Sequence, residues 1–108
     1  MPKPSNEPQY FYLTTIGRKT GLPREIEIWF VSFDDKYYVL AEHGEKAQWV
    51  RNIRANPRVR VRVGDQSFDA IARVLDKTRD QSTYDQARKL EREKYGWGDG
   101  LPVEIVPD

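Results

Sequence analysis

The sequence predicts a mainly β fold with two helices (α+β), in which short antiparallel strands close into a small barrel. Three observations predict it. Arg58 to Val63 alternates strictly, with Val59, Val61 and Val63 on one face and Arg58, Arg60 and Arg62 on the other, the two-residue period of a half-buried strand. Turn signals recur at short intervals between alternating runs, so consecutive strands pair as hairpins: Gly17-Arg18-Lys19-Thr20-Gly21-Leu22-Pro23, Asp34-Asp35 and Gly64-Asp65. Only two stretches carry helical spacing. A sheet of such short strands leaves unpaired edges, and closure removes them.

In chain order, residues 1–8 contain three prolines and no periodicity, and read as an irregular arm ahead of a single domain over 9–108. Gln9 to Thr15 alternates and is rich in β-formers, which predicts a strand. Arg24 to Phe33 is the return strand, with Ile26, Ile28 and Phe30 on one face and Glu25, Glu27 and Trp29 on the other. Lys36 to Glu42 is a third strand. Glu45 to Asn56 predicts a helix, because Trp49, Val50 and Ile53 make one apolar face. Asn56-Pro57 ends it, since a residue before proline resists the helical region. Ser67 to Leu75 pairs back on Arg58–Val63, with Phe68, Ala70, Ala72 and Val74 inward. Thr78 to Gln81 reads as a capping box opening a second, largely solvated helix to about Tyr95. Gly96-Trp97-Gly98-Asp99-Gly100 breaks it, and Pro102 to Val106 is a short last strand.

Composition removes several chemistries. The 108 residues hold no cysteine, which excludes disulfides, iron–sulfur clusters, thiol catalysis and cysteine-ligated zinc. The single histidine, His43, excludes a two-histidine zinc site, and no metal site is expected. Apolar runs are too short to span a bilayer, and the first residues show no apolar leader, so the expected compartment is the cytoplasm. The net charge of +1 hides an asymmetry: residues 1–64 carry 11 basic and 7 acidic side chains, residues 65–108 carry 7 and 10.

Four features are candidates for chemistry. The turn with Arg18, Lys19, Thr20 and Arg24 sets three cations around glycines, which suits a phosphate or carboxylate clamp or simply a polar hairpin. It lacks the glycine-lysine-serine/threonine ending of a P-loop. The stripe Arg58, Arg60, Arg62 suits an anion or, more commonly, water. Its alternate residues are valines facing away, without the interleaved aromatics of a nucleic-acid face, so no nucleic-acid partner is expected. Trp49 with Asn52 suits either core packing or the wall of a pocket for a flat ring. His43, in Ala41-Glu42-His43-Gly44, is an acid or base by type, but no serine or carboxylate is placed to complete a triad.

Two motifs carry a resemblance. Tyr12-Leu13-Thr14-Thr15-Ile16-Gly17-Arg18-Lys19-Thr20-Gly21-Leu22-Pro23-Arg24 resembles the first motif of the deazaflavin (F420)-dependent nitroreductases, also called the F420H2-dependent quinone reductase family. Tyr38-Val39-Leu40-Ala41-Glu42-His43-Gly44, Trp49 to Pro57 and Val59 to Gly64 resemble its second, and Leu101 to Val106 its last strand. The resemblance spans roughly residues 10–107. It implies a split β-barrel of the FMN-binding-like kind and a cytoplasmic oxidoreductase that transfers hydride from reduced coenzyme F420 to a quinone, enone or nitroaromatic. It implies cofactor contacts from Arg18, Lys19, Thr20, Arg24, Ala41, Glu42, His43, Gly44, Trp49 and Asn52. The anionic tail lies at the basic turn and the ring near residues 41–44 and the Trp49 helix. No catalytic side chain is required, because the cofactor carries the hydride. FMN on the same barrel is the alternative cofactor, and a non-catalytic anion-binding module the alternative function. Related barrels often form homodimers, for which an exposed aromatic such as Trp29 would serve as an interface.

Overall fold

The computed structural model describes residues 10–108; the expected arm over 1–8 and Gln9 of the expected first strand lie outside the described residues. The strands are β1 (Tyr10–Ile16), β2 (Pro23–Trp29), β3 (Val31–Phe33), β4 (Lys36–Ala41), β5 (Arg58–Val63), β6 (Gln66–Val74) and β7 (Leu101–Pro107), and the helices are α1 (Gln48–Ala55) and α2 (Gln81–Tyr95). They form one antiparallel sheet in the order β2-β1-β5-β6-β7-β4-β3.

That order corrects the expected strand Arg24–Phe33. It is two strands, broken at Phe30, and the halves lie on opposite edges of the sheet. One residue cannot connect the two edges of a flat seven-stranded sheet, because neighbouring strands are about 4.8 Å apart. The sheet therefore curls until its edges meet, and Phe30 is the seam. Its ring is buried and stacks on Phe11 of β1 at 5.0 Å, while its backbone is held by the Tyr95 hydroxyl. Periodicity does not reveal the break, because the apolar pattern runs through it.

Inside the barrel, Phe11, Leu13, Val39, Val61, Val103 and Ile105 are fully buried, and Val50 and Ile53 of α1 pack against the same cluster. The Val59/Val61/Val63 face points inward and the three arginines outward, as the alternation predicts. A second cluster lies outside the barrel, where Tyr84 and Ala87 of α2 cover Val31, Tyr38 and Leu75. Thus Tyr38 to Ala41 are buried without a break: Val39 and Ala41 look into the barrel, and Tyr38 lies under α2.

The helix boundaries shift for local reasons. The expected helix Glu45–Asn56 is a 3₁₀ turn, Gly44–Lys46, followed by α1, with Ala47 extended between them. Asn56 is extended before Pro57, as expected. Thr78 does not open α2. Asp76 instead accepts the N–H groups of Thr78 and Arg79 at 2.8 Å each, folding a separate turn, and the helix starts at Gln81. Asp34 and Asp35 both have positive φ, the requirement of a tight two-residue hairpin turn.

After α2 the chain passes close against the helix it has just left. A Cβ on Gly98 would collide with the Arg88 carbonyl oxygen, and the segment is tied in place because the Gly98 carbonyl accepts from Arg88 Nε at 2.8 Å. Gly98→Ala is therefore expected to destabilise the fold by about 1–3 kcal/mol through forced backbone displacement, read as a lower urea midpoint at unchanged slope.

Candidate functional site

A cleft of about 650 Å³ opens between β2, the end of β4, the start of α1 and the segment after α2. Its size is that of a small-molecule or cofactor site. Three tryptophans line it: Trp29 from β2, Trp49 from α1 and Trp97 from the glycine-rich segment. Ile26, Ile28 and Leu40 add apolar surface. Among the described residues the polar lining consists of Tyr10, His43 and the carboxyl groups of Glu27, Glu42 and Glu91, with no lysine or arginine. Such a cavity favours a flat, uncharged ring and disfavours an anion.

The cations sit at one side. The β1–β2 turn closes through Gly17 N–H to the Leu22 carbonyl (2.8 Å) and Gly21 N–H to the Gly17 carbonyl (2.7 Å), with Gly21 at φ +72°. Thr20 Oγ1 accepts the Leu22 N–H at 3.2 Å, so its hydroxyl serves the turn itself. Arg18 is latched to α1: its backbone N–H and Nη1 donate to Asn52 Oδ1 (3.2 and 3.0 Å), and Nη2 donates to Gln48 Oε1 (2.9 Å). Asn52 Nδ2 in turn donates to the buried Thr15 hydroxyl at 3.1 Å. Asn52 is thus a brace between turn and helix, with its acceptor and one donor already engaged, rather than a free contact for a ring. The latch sets the basic turn beside the first turn of α1, where the next residue, Trp49, faces the cleft.

Lys19 and Arg24 are exposed and form no salt bridge among the described residues. The arginine stripe differs. Arg60 pairs with Asp69 at 3.0 Å, Arg62 with Glu25 at 3.5 Å while lying over the Tyr12 ring, and Arg58 with Asp108 at 4.0 Å. Those charges are matched by carboxylates of the same surface, which leaves little field for a polyanion.

Of the residues the sequence singled out, Glu42, His43 and Trp49 line the cleft, whereas Arg18, Lys19, Thr20, Arg24 and Asn52 form the adjoining turn and its brace. Ala41 is buried in β4 and Gly44 opens the 3₁₀ turn; neither lines the cavity. Trp29 is not a free interface aromatic. It stacks flat on Tyr95 at 4.5 Å and forms part of the cleft wall.

Sequence reasoning missed Trp97 and Glu91. Glu91 is 1% exposed, and neither of its carboxylate oxygens has a hydrogen-bond partner. A signal existed: Tyr84, Ala87 and Glu91 fall on one helical face, so the acid occupies a position of the buried stripe. Burial pushes its carboxyl up to about 7 from the usual 4.5, against the opposing pull of Lys94. The folded chain therefore holds this proton more tightly than the unfolded chain. The resulting stability is intact below about 4.5 and is lost as pH rises through about 7.

Fold and site together define a small split β-barrel of the FMN-binding-like kind, with an aromatic cleft flanked by a cationic turn. The sequence profile of the F420H(2)-dependent quinone reductases matches residues 4–105, and the chain belongs to that family. An F420H(2)-dependent quinone reductase of Mycobacterium tuberculosis (strain H37Rv) is 32% identical over 71 residues, which is 63% of this chain and 48% of that protein. The chain thus spans about half the length of the curated relatives it matches. Among solved structures, an F420-H2 dependent reductase superposes with TM-score 0.70 at 29% identity, covering 91% of this chain and 93% of that one. The haem storage protein HutZ of Vibrio cholerae, at 24% identity and TM-score 0.76 over 94% of this chain and 83% of its own, shares the fold.

Proposed function

We propose that this protein is an oxidoreductase that transfers hydride from reduced coenzyme F420 to an electrophilic small molecule such as a quinone, enone or nitroaromatic. One observation carries the reading. An acidic, tryptophan-lined cleft that suits a neutral planar ring adjoins a turn whose Lys19 and Arg24 are without salt bridges and suit an anionic tail. Coenzyme F420 has that division, a flat deazaflavin at one end and a phosphate with carboxylates at the other. When bound, the cofactor supplies the hydride. The chain's own residues bind and orient it: Trp29, Trp49 and Trp97 wall the ring and exclude water, Glu42 and His43 border it, and Lys19 and Arg24 hold the tail with the braced Arg18 between them and α1. The electrophile shares the cleft.

The test is titration of the purified protein with reduced F420 and, separately, with FMN, followed by turnover with a naphthoquinone. Micromolar F420 binding with quinone-dependent oxidation is expected. No F420 binding at high micromolar concentration, or preferential FMN binding with a flavin spectrum, would overturn the reading. Lys19→Ala and Arg24→Ala are each expected to weaken F420 binding roughly tenfold to a hundredfold, as for loss of a charge-assisted hydrogen bond. Rising salt should shrink the difference, and the thermal midpoint should stay put because both side chains are exposed.

A homodimer belongs to the same reading. It is supported by a solved structure described as a domain-swapped dimer, 29% identical with TM-score 0.65 and covering 91% of this chain and 79% of that one. No helix among the described residues is long and apolar enough to cross a membrane. We place the enzyme in the cytoplasm, in keeping with its cysteine-free composition.

A further inference from the structure

Glu91 is the one side chain among the described residues whose polar atoms are buried without a partner. It also belongs to the wall of the cleft. These two facts conflict for a carboxylate and agree for a carboxylic acid. Ionised, it would need donors, and none is present among the described residues. Neutral, it carries one O–H with no acceptor among the described residues, beside a cavity of ligand size.

Burial favours the neutral form, and the nearby Lys94 charge only partly opposes it. On α2 itself, Lys94 is the cation that acts on Glu91, and its ammonium also engages the Phe30 carbonyl at 3.0 Å and the Phe30 ring at 4.1 Å. Arg88 and Arg92 are turned to the Gly98 carbonyl and Asp99, and the Tyr95 hydroxyl donates to the Phe30 carbonyl. From β2 and the β4 end, the cleft receives Glu27, Glu42 and His43. Among the strands under α2, β3 presents Ser32, while Lys36 and Tyr38 of β4 are engaged with Glu104 of β7. An ionised Glu91 would thus be desolvated with no hydrogen-bond donor among the described residues, its one electrostatic support being the Lys94 ammonium that is already bonded to the Phe30 carbonyl.

We propose that Glu91 is the proton donor of this cleft, giving its proton to the carbonyl oxygen of the electrophile as hydride is delivered. The proposal rests on the hydride-transfer reading above. A carbonyl or quinone that takes up hydride gains two electrons and one proton and requires one more proton on oxygen. The Glu91 O–H bond breaks as the substrate O–H bond forms, and the reduced deazaflavin is oxidised by the two electrons the substrate gains. Glu91 is left as carboxylate, and water reprotonates it once product leaves. Before the transfer, the same O–H orients the substrate by donating to its carbonyl, as a neutral acid in an apolar site can do.

Two arms test this. The first needs no cofactor: infrared spectra of protein with isotope-labelled glutamate, wild type against Glu91→Gln. A protonated-carboxyl band is expected in wild type one unit below the midpoint near 7, absent from the variant, fading as pH rises, and shifting when tetralone, a carbonyl acceptor, is added. The second is turnover of a naphthoquinone with reduced F420. Glu91→Gln should lower kcat by roughly a hundredfold with F420 affinity unchanged. Wild-type kcat should fall above about 7 while the variant's profile is flat through that range. Absence of the band, a band that tetralone leaves unmoved, or a variant with wild-type kcat and pH profile would each overturn the proposal. If F420 fails to bind, the cofactor reading falls by itself, and the infrared arm still decides whether Glu91 meets a carbonyl as an acid.

Discussion

Asn52→Ala is expected to destabilise the protein by about 2–3 kcal/mol and to weaken F420 binding in the same variant. Asn52 is 5% exposed and holds three partners: the Arg18 N–H, the Arg18 guanidinium and the Thr15 hydroxyl, which is itself fully buried. Alanine removes the shared acceptor and the donor together. A buried donor or acceptor left unmade costs roughly 1–3 kcal/mol, and the solvent-reachable guanidinium recovers part of its share from water. The turn would then lose its link to α1, so Lys19 and Arg24 would no longer be held in one place beside the cleft. Asn52→Asp is the control. It keeps the acceptor for Arg18 and can accept from Thr15, so it should retain most of the stability and the binding. Urea unfolding and F420 titration on the two variants decide it; equal behaviour of Ala and Asp would refute the brace.

Glu104→Ala is expected to destabilise by about 3 kcal/mol without touching the cleft. Glu104 is 6% exposed and lies in a cross-strand row: Tyr38 of β4 and Arg73 of β6 stand directly opposite it on either side. Tyr38 donates to Oε2 at 2.9 Å and Arg73 to Oε1 at 3.3 Å, while Lys36 approaches at 3.9 Å. Burial and the bond to Glu104 raise the Tyr38 phenol well above its ordinary value. Arg73 continues to Asp80 at 3.0 Å, just before α2, so the row joins three strands to the start of that helix. Removing the carboxylate strands a phenol that is 1% exposed. Breaking a buried pair typically costs about 3–5 kcal/mol, and the low end applies because Arg73 is half in water. Glu104→Gln keeps an acceptor for Tyr38 and should lose about 1 kcal/mol. An alanine variant as stable as wild type would show that the row is ornamental to the fold.

Much of the scaffold was legible before any coordinates. The Val59/Val61/Val63 alternation placed β5 and its inward face, the glycine and aspartate pairs placed the turns, and Asn56-Pro57 placed the end of α1. These signals are local: a side chain's period along a strand and the φ a turn demands are properties of a few adjacent residues. The two motifs around Arg18 and Trp49 likewise pointed to the family, and they bracket the site that the structure assembles. Thr78 misled because a threonine and a glutamine three residues apart satisfy the capping pattern, whereas Asp76 takes the Thr78 and Arg79 N–H groups and turns the chain before the helix begins.

The sequence alone thus determined where most strands and both helices lie and which of their faces are apolar, and the family resemblance added the expectation that a basic turn and a tryptophan helix serve one cofactor. Only the tertiary structure decided how the polar groups are matched. Arg18 and Asn52 are 34 positions apart, and Tyr38 and Glu104 are 66. The break at Phe30 follows from closure of the whole sheet, and the solitude of Glu91 follows from everything packed around it. Periodicity reports whether a position is covered. Whether a covered charge has a partner depends on register and on elements far away in the chain, and in this protein that separates the paired arginines of β5 from the unpaired acid in the cleft wall.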